Sequence, residues 1–390
     1  MDPSSDVVLA LNVGSSSLKA AVRDPELRIR VHAADLTSST GGLTVDVPGQ
    51  RQQEEVALRG WGQALGAVAD ALSAHGCRPV VVVHRIVVGS SLLTAPRAAD
   101  DALVGALRGA RSRAPLHLPR QLDIVDRARA SWPDARVVLC PDSGFHEQLP
   151  DEASTLPLPR GAGAVGLRRW GFHGLAVQSV VDQLPDLGSA VVVHLGGGCS
   201  VTAVADGVSR HTTMAMSPAG GVPSLTRSGD LDPEVVLQLL DAYDGDVEAV
   251  RRLLNTESGV AGLSGGRTDV RELLAAGDAG ADLALRVFVR DVAMAVAGAV
   301  TTLDRWDSLV FTGGIGTGSA EIRERVCARL VPLRPGAADR PGPATARLEA
   351  TGLRLLAEPV DEEAVMDRLA RAVGTGPGRG RPAPVPTSVR

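Results

Sequence analysis

The sequence contains the same pattern twice: an apolar strand, a glycine- and serine-containing turn, and a second apolar strand that returns. The first copy spans residues 7–22, with its turn at 14–17, and the second spans 190–205, with its turn at 196–200. Runs of Val, Leu and Ala around a short glycine turn predict a β-hairpin. Because the pattern recurs, we expect two domains of similar design, each with one such hairpin.

The first turn has the chemistry of an anion-binding loop. Gly14 lets the backbone approach a ligand, the serines at 15–17 supply hydroxyl donors, and Asn12 supplies an amide. Lys19 is the only lysine in the chain, and arginine supplies every other side chain of the Lys and Arg class. A compact ammonium kept at this single place indicates a phosphate contact. The spacing fits no Walker motif, so an ordinary serine-rich hairpin remains the alternative at this point.

Length and composition narrow the class of protein. The 390 residues suffice for two domains with separate cores, and the formal net charge of -5 argues against general nucleic-acid binding. The four cysteines have no metal or redox spacing, which favours reduced thiols. Residues 1–6 carry no signal-peptide pattern, and the longest apolar stretch, 292–300, is too short to span a bilayer. We therefore expect a cytoplasmic protein with no nucleic-acid or membrane partner.

Polar side chains follow several predicted buried strands. The apolar run 79–83 leads into His84 and Arg85, and the run 136–139 leads into Asp142. A third glycine turn, at 312–316, follows a predicted strand. In open α/β sheets, ligands bind at the carboxyl ends of the strands. These positions are therefore candidates for one binding site.

The segments between the strands carry helix and loop signals. Apolar residues recur at helical spacing over 54–74, and Gly76 is placed to end that helix. Pro, Gly and Arg dominate two further segments. That composition predicts a loop over 332–345 and a disordered tail over 374–390.

Several motifs, in this order along nearly the whole chain, resemble those of the acetate kinase family, the short-chain carboxylate kinases of the actin-like ATPase superfamily. The most specific pair is Asn-Val-Gly-Ser-Ser-Ser-Leu-Lys at 12–19 and Arg-Ser-Gly-Asp-Leu-Asp-Pro at 227–233. Four shorter motifs agree with it, at 84–85, 114–117, 171–174 and 311–316. Independent structural accidents would not fall into one family's order.

The resemblance implies an α/β, two-domain actin-like ATPase (ribonuclease H-like) fold. Its duplicated βββαβαβα core has mixed sheets and an interdomain cleft. The implied N-terminal domain is 1–147, completed by a C-terminal helix at about 364–373. The implied second domain, 148–363, carries nucleotide binding and dimerisation, so a homodimer is expected.

The activity that the resemblance implies is a reversible, magnesium-dependent phosphoryl transfer. The γ-phosphoryl group of ATP passes directly to acetate, giving acetyl phosphate and ADP. Two alternatives stay open. One is a propionate or butyrate kinase of the same fold, and the other is a non-catalytic, nucleotide-binding regulator.

Five catalytic residues are carried over from the family. Arg85 and Arg227 match its two active-site arginines, whose guanidinium forks suit a carboxylate and a transferring phosphoryl group. His173 matches the histidine that stabilises the transition state, and His117 matches one that supports the site. Asp142 matches the aspartate that orients an arginine and the acceptor.

The acid-binding pocket is expected to be small and apolar. Val87, Leu116, Phe172 and Pro218 match the residues that surround the methyl group of acetate, and Arg85 would hold the carboxylate. Because one methylene changes discrimination by only roughly 1 to 3 kcal/mol, propionate should be a poorer but real substrate.

The resemblance also assigns a metal site and a nucleotide site. Asn12 and Glu362 would hold Mg²⁺, with Mn²⁺ as an alternative ion and Glu363 as a rival to Glu362. The nucleotide residues lie in both hairpins, in a segment of the second domain and in the third glycine turn. They are Ser15, Ser17, Lys19, His194, Gly196, Gly197, Gly198, Asp269, Val270, Arg271, Gly314, Ile315, Gly316 and Gly318.

A few positions depart from the family pattern. Gly197 stands where an asparagine is usual, and Thr317 and Gly318 replace a Glu-Asn pair. His211 stands in place of an aspartate. These changes lie mainly on the nucleotide side, so we expect an active kinase with weakened ATP binding.

Overall fold

The computed structural model describes residues 7–14, 17–23, 28–36, 41–47, 49–56, 58, 60–159 and 166–373. Ser15 of the first turn and the predicted disordered tail at 374–390 lie outside the described residues.

The first sheet has eight strands in the order β5-β4-β3-β2-β1-β6-β8-β7. Strands β1 to β5 are antiparallel neighbours, whereas β6 and β8 run parallel to β1. The strands are β1 (Val8–Val13), β2 (Leu18–Arg23), β3 (Arg28–Ala34), β4 (Gly41–Val47), β5 (Gln50–Val56), β6 (Val81–Ile86), β7 (Arg97–Ala98) and β8 (Arg136–Pro141).

The second sheet has five strands in the order β11-β10-β9-β12-β13. They are β9 (Ala190–Leu195), β10 (Cys199–Ala205), β11 (Val208–Thr212), β12 (Ser308–Thr312) and β13 (Arg354–Ala357). Here too a three-stranded antiparallel meander is extended by two parallel strands. This order repeats β3-β2-β1-β6-β8 of the first sheet, which is the duplicated core that we predicted.

Helices cover the faces of both sheets. They are α1 (Trp61–Ala74), α2 (Asp101–Gly109), α3 (Leu118–Ser131), α4 (Asp151–Ser154), α5 (Gly174–Gln183), α6 (Pro233–Ala242), α7 (Val247–Thr256), α8 (Gly259–Ser264), α9 (Val270–Ala276), α10 (Ala279–Val300), α11 (Gly313–Gly318), α12 (Ala320–Leu330), α13 (Ala344–Glu349) and α14 (Glu362–Ala372). Helices α1 to α3 pack on the first sheet in one large apolar core, and α8 to α10 and α12 pack on the second sheet in another.

Two helices exchange places between the sheets. Helix α14 follows the second sheet in the chain, yet its Val365 and Met366 are buried against Val8 and Val83 of the first sheet. Helix α5 follows the first sheet and packs on the second, where Val177 joins the core. The two helices also contact each other. This exchange brings the N-terminus of α14 to the centre of the first sheet, while the domain limits 1–147 and 148–363 stay a prediction.

The structure corrects three expectations from the sequence. The helix predicted over 54–74 begins only at Trp61, because the chain up to Val56 pairs along its length with β4 and cross-strand pairing overrides the helical propensity of its Gln and Glu residues. Gly76 follows the C-cap with φ 64°, as a helix-ending glycine should. The third glycine turn is the short helix α11, and the predicted loop at 332–345 ends in the first turn of α13.

Candidate active site

Arg85 and Asp142 are brought together by neighbouring parallel strands. Arg85 lies at the end of β6, and Asp142 directly follows β8, whose residues pair with those of β6 up to Pro141. Arg85 Nε donates to Asp142 Oδ1 at 2.9 Å, with the arginine side chain 15% and the aspartate side chain 1% exposed. Burial alone would raise the pKa of Asp142, but the charge and hydrogen bond of Arg85 hold this pKa below its ordinary value. The pair is therefore a buried ion pair with both partners charged.

Asp142 also fixes the start of α5. Its second carboxylate oxygen, Oδ2, accepts from the backbone N–H of His173 at 2.9 Å, and its carbonyl accepts from Gly174 N at 2.8 Å. A Cβ at residue 174 would lie 2.4 Å from that carbonyl oxygen, so only glycine allows this approach. His173 itself has φ 58°, an unusual conformation for a residue with a side chain. Asp142 thus places both Arg85 and His173.

The side chain of His173 is held by residues of the second sheet. Its Nδ1 lies 3.1 Å from Ser200 Oγ on β10, and its ring centroid lies 4.3 Å from that of His194. Burial, followed by the nearby His194 and arginine charges, lowers the pKa of His173 well below 6.5. The imidazole is therefore neutral at neutral pH, with Nε2 directed toward Gly198.

Arg227 lies in the loop before α6, and its side chain extends to the same glycine, Gly198. Its Nη1 donates to the carbonyl of Pro218 at 3.2 Å. A Cβ added to Gly198 would lie 2.6 Å from this Nη1 and 3.1 Å from His173 Nε2. The turn between β9 and β10 therefore lies in contact with the side chains of His173 and Arg227. Any side chain at residue 198 would displace them.

The five predicted catalytic side chains line one cavity of about 600 Å³. Arg85, Asp142 and His117 come from the first-sheet side, whereas His173 and Arg227 come from the second. Burial, and then the charges of Arg227 and Arg85, lower the pKa of His117 to about 4, so it too is neutral at pH 7. The arginine charges that remain can meet an anionic ligand.

The apolar wall of this cavity is also the predicted one. Val87, Leu116, Phe172 and Pro218 all line it. Val87 and Phe172 pack against Met214, which is buried behind them. The position of Val87 is fixed further because Gln121 Oε1 accepts from its backbone N–H at 2.9 Å.

Asn12 and Glu362 meet at the edge of the site. Asn12 Nδ2 donates to Glu362 Oε2 at 2.7 Å, and Asn12 Oδ1 accepts from Arg85 Nη1 at 3.1 Å. Glu362 Oε2 lies 3.6 Å from the same Nη1. Burial, and then the charge of Glu362, raise the pKa of the neighbouring Glu363.

This donor set fits a hard cation. Amide and carboxylate oxygens are the ligands of Mg²⁺, and two adjacent carboxylates gain from a positive charge between them. Among the residues that the structure describes, no group of three or more His, Cys, Asp and Glu side chains could hold a metal ion. An ion held by one or two protein oxygens together with substrate phosphates matches this arrangement.

The glycine turns of the nucleotide side meet at the ends of β9 and β12. Gly197 and Gly198 line the cavity. The Cβ position of Gly196 lies 3.7 Å from His194 Nε2 and 4.0 Å from the backbone nitrogen of Gly314. The two turns therefore form one continuous backbone surface beside the residues predicted to be catalytic.

Lys19 and Ser17 lie on the first hairpin. Lys19 is exposed and is the cross-strand partner of Asn12, and its charge contributes to lowering the pKa of His194. The carbonyl of Ser17 accepts from Gly14 N at 2.8 Å, which closes the turn. The only lysine thus lies on the strand face that carries Asn12.

The remaining residues predicted to bind the nucleotide differ in their exposure. Asp269 caps α9, and Arg271 is highly exposed and pairs with it. The side chain of Val270 is buried in the second core and does not line the cavity, whereas Thr268, two residues before it, does. The third turn contributes a partly buried Ile315, a buried Gly316, and Gly318 at the end of α11.

Sequence reasoning missed several residues of the cavity wall. Arg120 follows His117 by three positions at the start of a helix, a spacing that places both on one face and could have revealed it. The other missed lining residues lie in loops or at the ends of β1 and α7, and their positions around the cavity depend on tertiary packing. They are Val13, Leu225, Thr226, Asn255, Thr256 and Thr268.

A search of the described residues finds no helix with the length and apolar character needed to cross a membrane.

Known proteins resemble this chain in both sequence and fold. The model of the Acetokinase family matches residues 7–334. An acetate kinase of Rhodopseudomonas palustris (strain TIE-1) is 34% identical over 346 residues, covering 83% of this chain and 86% of that protein. A propionate kinase of Edwardsiella piscicida is 34% identical over 379 residues, covering 92% and 94%. The crystal structure of a propionate kinase from Francisella tularensis subsp. tularensis SCHU S4 superposes with a TM-score of 0.85 at 25% identity, covering 95% of this chain and all of that one.

These findings confirm the predicted two-domain, actin-like α/β fold with its two mixed sheets. They also confirm the resemblance that the motifs at 12–19 and 227–233 indicated, since the family match contains both. With most of its length matched and its motif residues gathered around one cavity, the chain belongs to the acetokinase family.

Proposed function

We propose that this protein transfers the γ-phosphoryl group of ATP to acetate, reversibly and with Mg²⁺, giving acetyl phosphate and ADP. The observation that carries this proposal is the convergence of Arg85, Asp142, His173 and Arg227 on one cavity with an apolar wall. Phosphoryl transfer needs aligned reactants and neutralised charge rather than covalent help from the protein. The site offers both.

In the proposed reaction, a carboxylate oxygen of the acid attacks the γ-phosphorus while the bond to the ADP oxygen breaks. The new O–P bond forms as the leaving electron pair passes to ADP, so no proton needs to move. Arg85 and Arg227 neutralise the acid and the migrating group, since guanidinium matches both. Asp142 keeps Arg85 oriented through the 2.9 Å bond to its Nε.

His173 acts as a neutral hydrogen-bond donor in this scheme. When the Ser200 hydroxyl donates to Nδ1, the tautomer of His173 carries its proton on Nε2. That nitrogen points to Gly198 at the cavity wall, where the phosphoryl oxygens would pass. Because the donor is already fixed by Ser200 and by the backbone contact with Asp142, it is preorganised for the transition state.

Mg²⁺ would be held by Asn12 and Glu362, with Glu363 as the alternative to Glu362. When bound, the ion would neutralise charge on the nucleotide phosphates. Mn²⁺ accepts the same oxygen ligands and remains the alternative.

The nucleotide would lie along the two glycine turns and the first hairpin. Lys19, Ser15 and Ser17 would contact its phosphates, together with the backbone at Gly196–198. The missing amide side chain at Gly197 would weaken ATP binding by about 0.5 to 1.5 kcal/mol, too little to abolish activity. Asp269, Arg271 and the turn at 314–318 would serve the adenosine end.

A propionate kinase is the second candidate, because proteins of that name match the chain as fully as acetate kinases do. A hydrophobic pocket separates acids that differ by one methylene only weakly. Relative rates on the two acids decide between the candidates.

We also propose a cytoplasmic homodimer. The four cysteines are free and buried, which suits a reducing compartment. Exposed apolar side chains lie on α6 and α10 of the second-sheet side, among them Leu237 and Met294, which is 65% exposed. Covering this surface with a second copy would remove it from water.

A hydroxamate assay of acyl phosphate formation tests the function. Purified protein with Mg-ATP is given acetate, propionate or butyrate, and Arg85→Ala is compared with Arg78→Ala, a surface arginine paired with the exposed Asp134. We expect acetyl hydroxamate from the wild type and from Arg78→Ala, and a loss of about 100-fold or more for Arg85→Ala, which leaves Asp142 buried and unpaired. If the wild type and both variants bind nucleotide but form no acyl phosphate with any acid, the result would instead support a non-catalytic, nucleotide-binding regulator.

A further inference from the structure

We propose that Arg120 is a third anion-binding arginine of the cleft and that it holds the phosphoryl group of the acyl phosphate. The inference rests on the proposed function and assigns a residue to the acyl phosphate within that site.

Arg120 lies between the apolar wall and the first hairpin. It is in the first turn of α3, three residues after His117, and lines the same cavity as Arg85 and Arg227. Its Nη1 lies 3.5 Å from the carbonyl oxygen of Gly14, in the hairpin turn. Leu116, at the acid end, lines the cavity from the segment just before this helix. A phosphoryl group bonded to the acid would occupy this boundary.

The guanidinium of Arg120 is fixed in orientation by Trp61. Its Cζ lies 3.6 Å from the centroid of the Trp61 ring at the start of α1. Stacking on an indole face is favourable for a planar cation. The side chain is therefore preorganised, which reduces the entropy lost when it binds an anion.

The cavity carries a net positive charge, which favours an anionic ligand. Among the described residues that line it, three are arginines and one, Asp142, is a carboxylate that pairs with Arg85, and Glu362, 3.6 Å from Arg85 Nη1, adds a second carboxylate beside it. His117 and His173 are neutral, since burial lowers the pKa of each. A short-chain acid is a monoanion, whereas its acyl phosphate is a dianion at neutral pH. A lining with net positive charge attracts the dianion more strongly than the monoanion, and Arg120 adds to this preference for the phosphorylated ligand.

The test compares Arg120→Gln and Arg120→Lys with Arg127→Gln in steady-state assays in both directions. Arg127 is a matched control on the same helix, exposed and paired with Asp123 outside the cavity. Loss of a charge-assisted bond predicts a rise of about 10-fold or more in KM for acetyl phosphate in Arg120→Gln, with less than about 3-fold change in KM for acetate. Arg120→Lys should recover part of this loss, and Arg127→Gln should behave as the wild type.

Calorimetric titration with acetyl phosphate reads the same contact without turnover. A weaker affinity of Arg120→Gln than of the wild type supports the inference even if neither protein turns over, in which case only the proposed function fails. Wild-type turnover with equal affinity of both proteins for acetyl phosphate would overturn the role of Arg120 and leave the proposed function standing. Equal increases in KM for acetate and acetyl phosphate would also overturn it.

Discussion

Gly198→Ala isolates the placement of Arg227 and His173 from the stability of the fold. The added Cβ would lie 2.6 Å from Arg227 Nη1 and 3.1 Å from His173 Nε2. Because non-bonded heavy atoms pack at roughly 3.5 Å, the guanidinium must move by roughly 1 Å and the imidazole by less. The clash falls on the end of a flexible side chain, so the protein can relax at small cost.

The rate of phosphoryl transfer is more sensitive to this displacement than the stability of the fold is. A misplacement of about 1 Å in a positioned group lowers the rate by about 100-fold, which corresponds to about 2.7 kcal/mol of transition-state stabilisation. We therefore expect kcat of Gly198→Ala to fall by about 10- to 100-fold, with the melting temperature within a few degrees of the wild type.

Two other glycine substitutions calibrate this experiment. Gly105→Ala, at an exposed position of helix α2, places its Cβ where no described atom lies within 4 Å, so kcat should be unchanged. Gly197→Ala likewise meets no described atom within 4 Å, and we expect its smaller effect to fall on KM for the nucleotide. Full activity of Gly198→Ala, measured by the hydroxamate assay, would show that Arg227 and His173 do not need their observed positions for transfer.

Three further predictions use other parts of the structure. Burial lowers the pKa of His84 and of His146 to about 4, so below pH 6.5 the unfolded chain binds more protons than the native one. The free energy of unfolding should then fall between pH 6.5 and 4, by up to about 1.4 kcal/mol per pH unit for each histidine, and urea midpoints that stay flat across this range would refute the assignment. Met214→Ala should raise the ratio of kcat/KM for propionate to that for acetate by about 10-fold, because it opens space behind Val87 and Phe172, and an unchanged ratio would exclude Met214 from acid selection. An amine-selective reagent should modify Lys19 as the only side-chain amine, and Mg-ATP should slow this modification; equal rates with and without Mg-ATP, measured by peptide mass spectrometry, would remove Lys19 from the nucleotide site.

The sequence predicts the parts of this molecule that depend on local pattern. The hairpin β1–β2 and the hairpin β9–β10 form because an apolar strand, a glycine turn and a returning strand are contiguous in the chain. Arg85 and Asp142 follow from the same logic, since each lies at the carboxyl end of a buried parallel strand. Neighbouring strands then bring them within hydrogen-bond distance.

Features that depend on tertiary packing escape such reasoning. Met214 joins Val87 and Phe172 only because the two halves of the chain face each other, and the stacking of Arg120 on Trp61 joins two helices far apart in sequence. The last three residues of the strand over 50–56 fit the start of a helical pattern, and only the pairing with β4 makes them strand. The exchange of α5 and α14 between the sheets likewise leaves no local pattern, and the packing of a C-terminal helix on the first domain is expected only from the family resemblance.

The central claim is that this cavity joins an acid to the phosphoryl group of ATP. Phosphorus-31 NMR of the wild-type protein with acetate and Mg-ATP tests it most directly, with Arg227→Ala as the comparison. The account predicts acetyl phosphate and ADP in equal amounts from the wild type, and a loss of both signals in Arg227→Ala. Formation of ADP and free phosphate from the start, with no acyl phosphate signal, would contradict it.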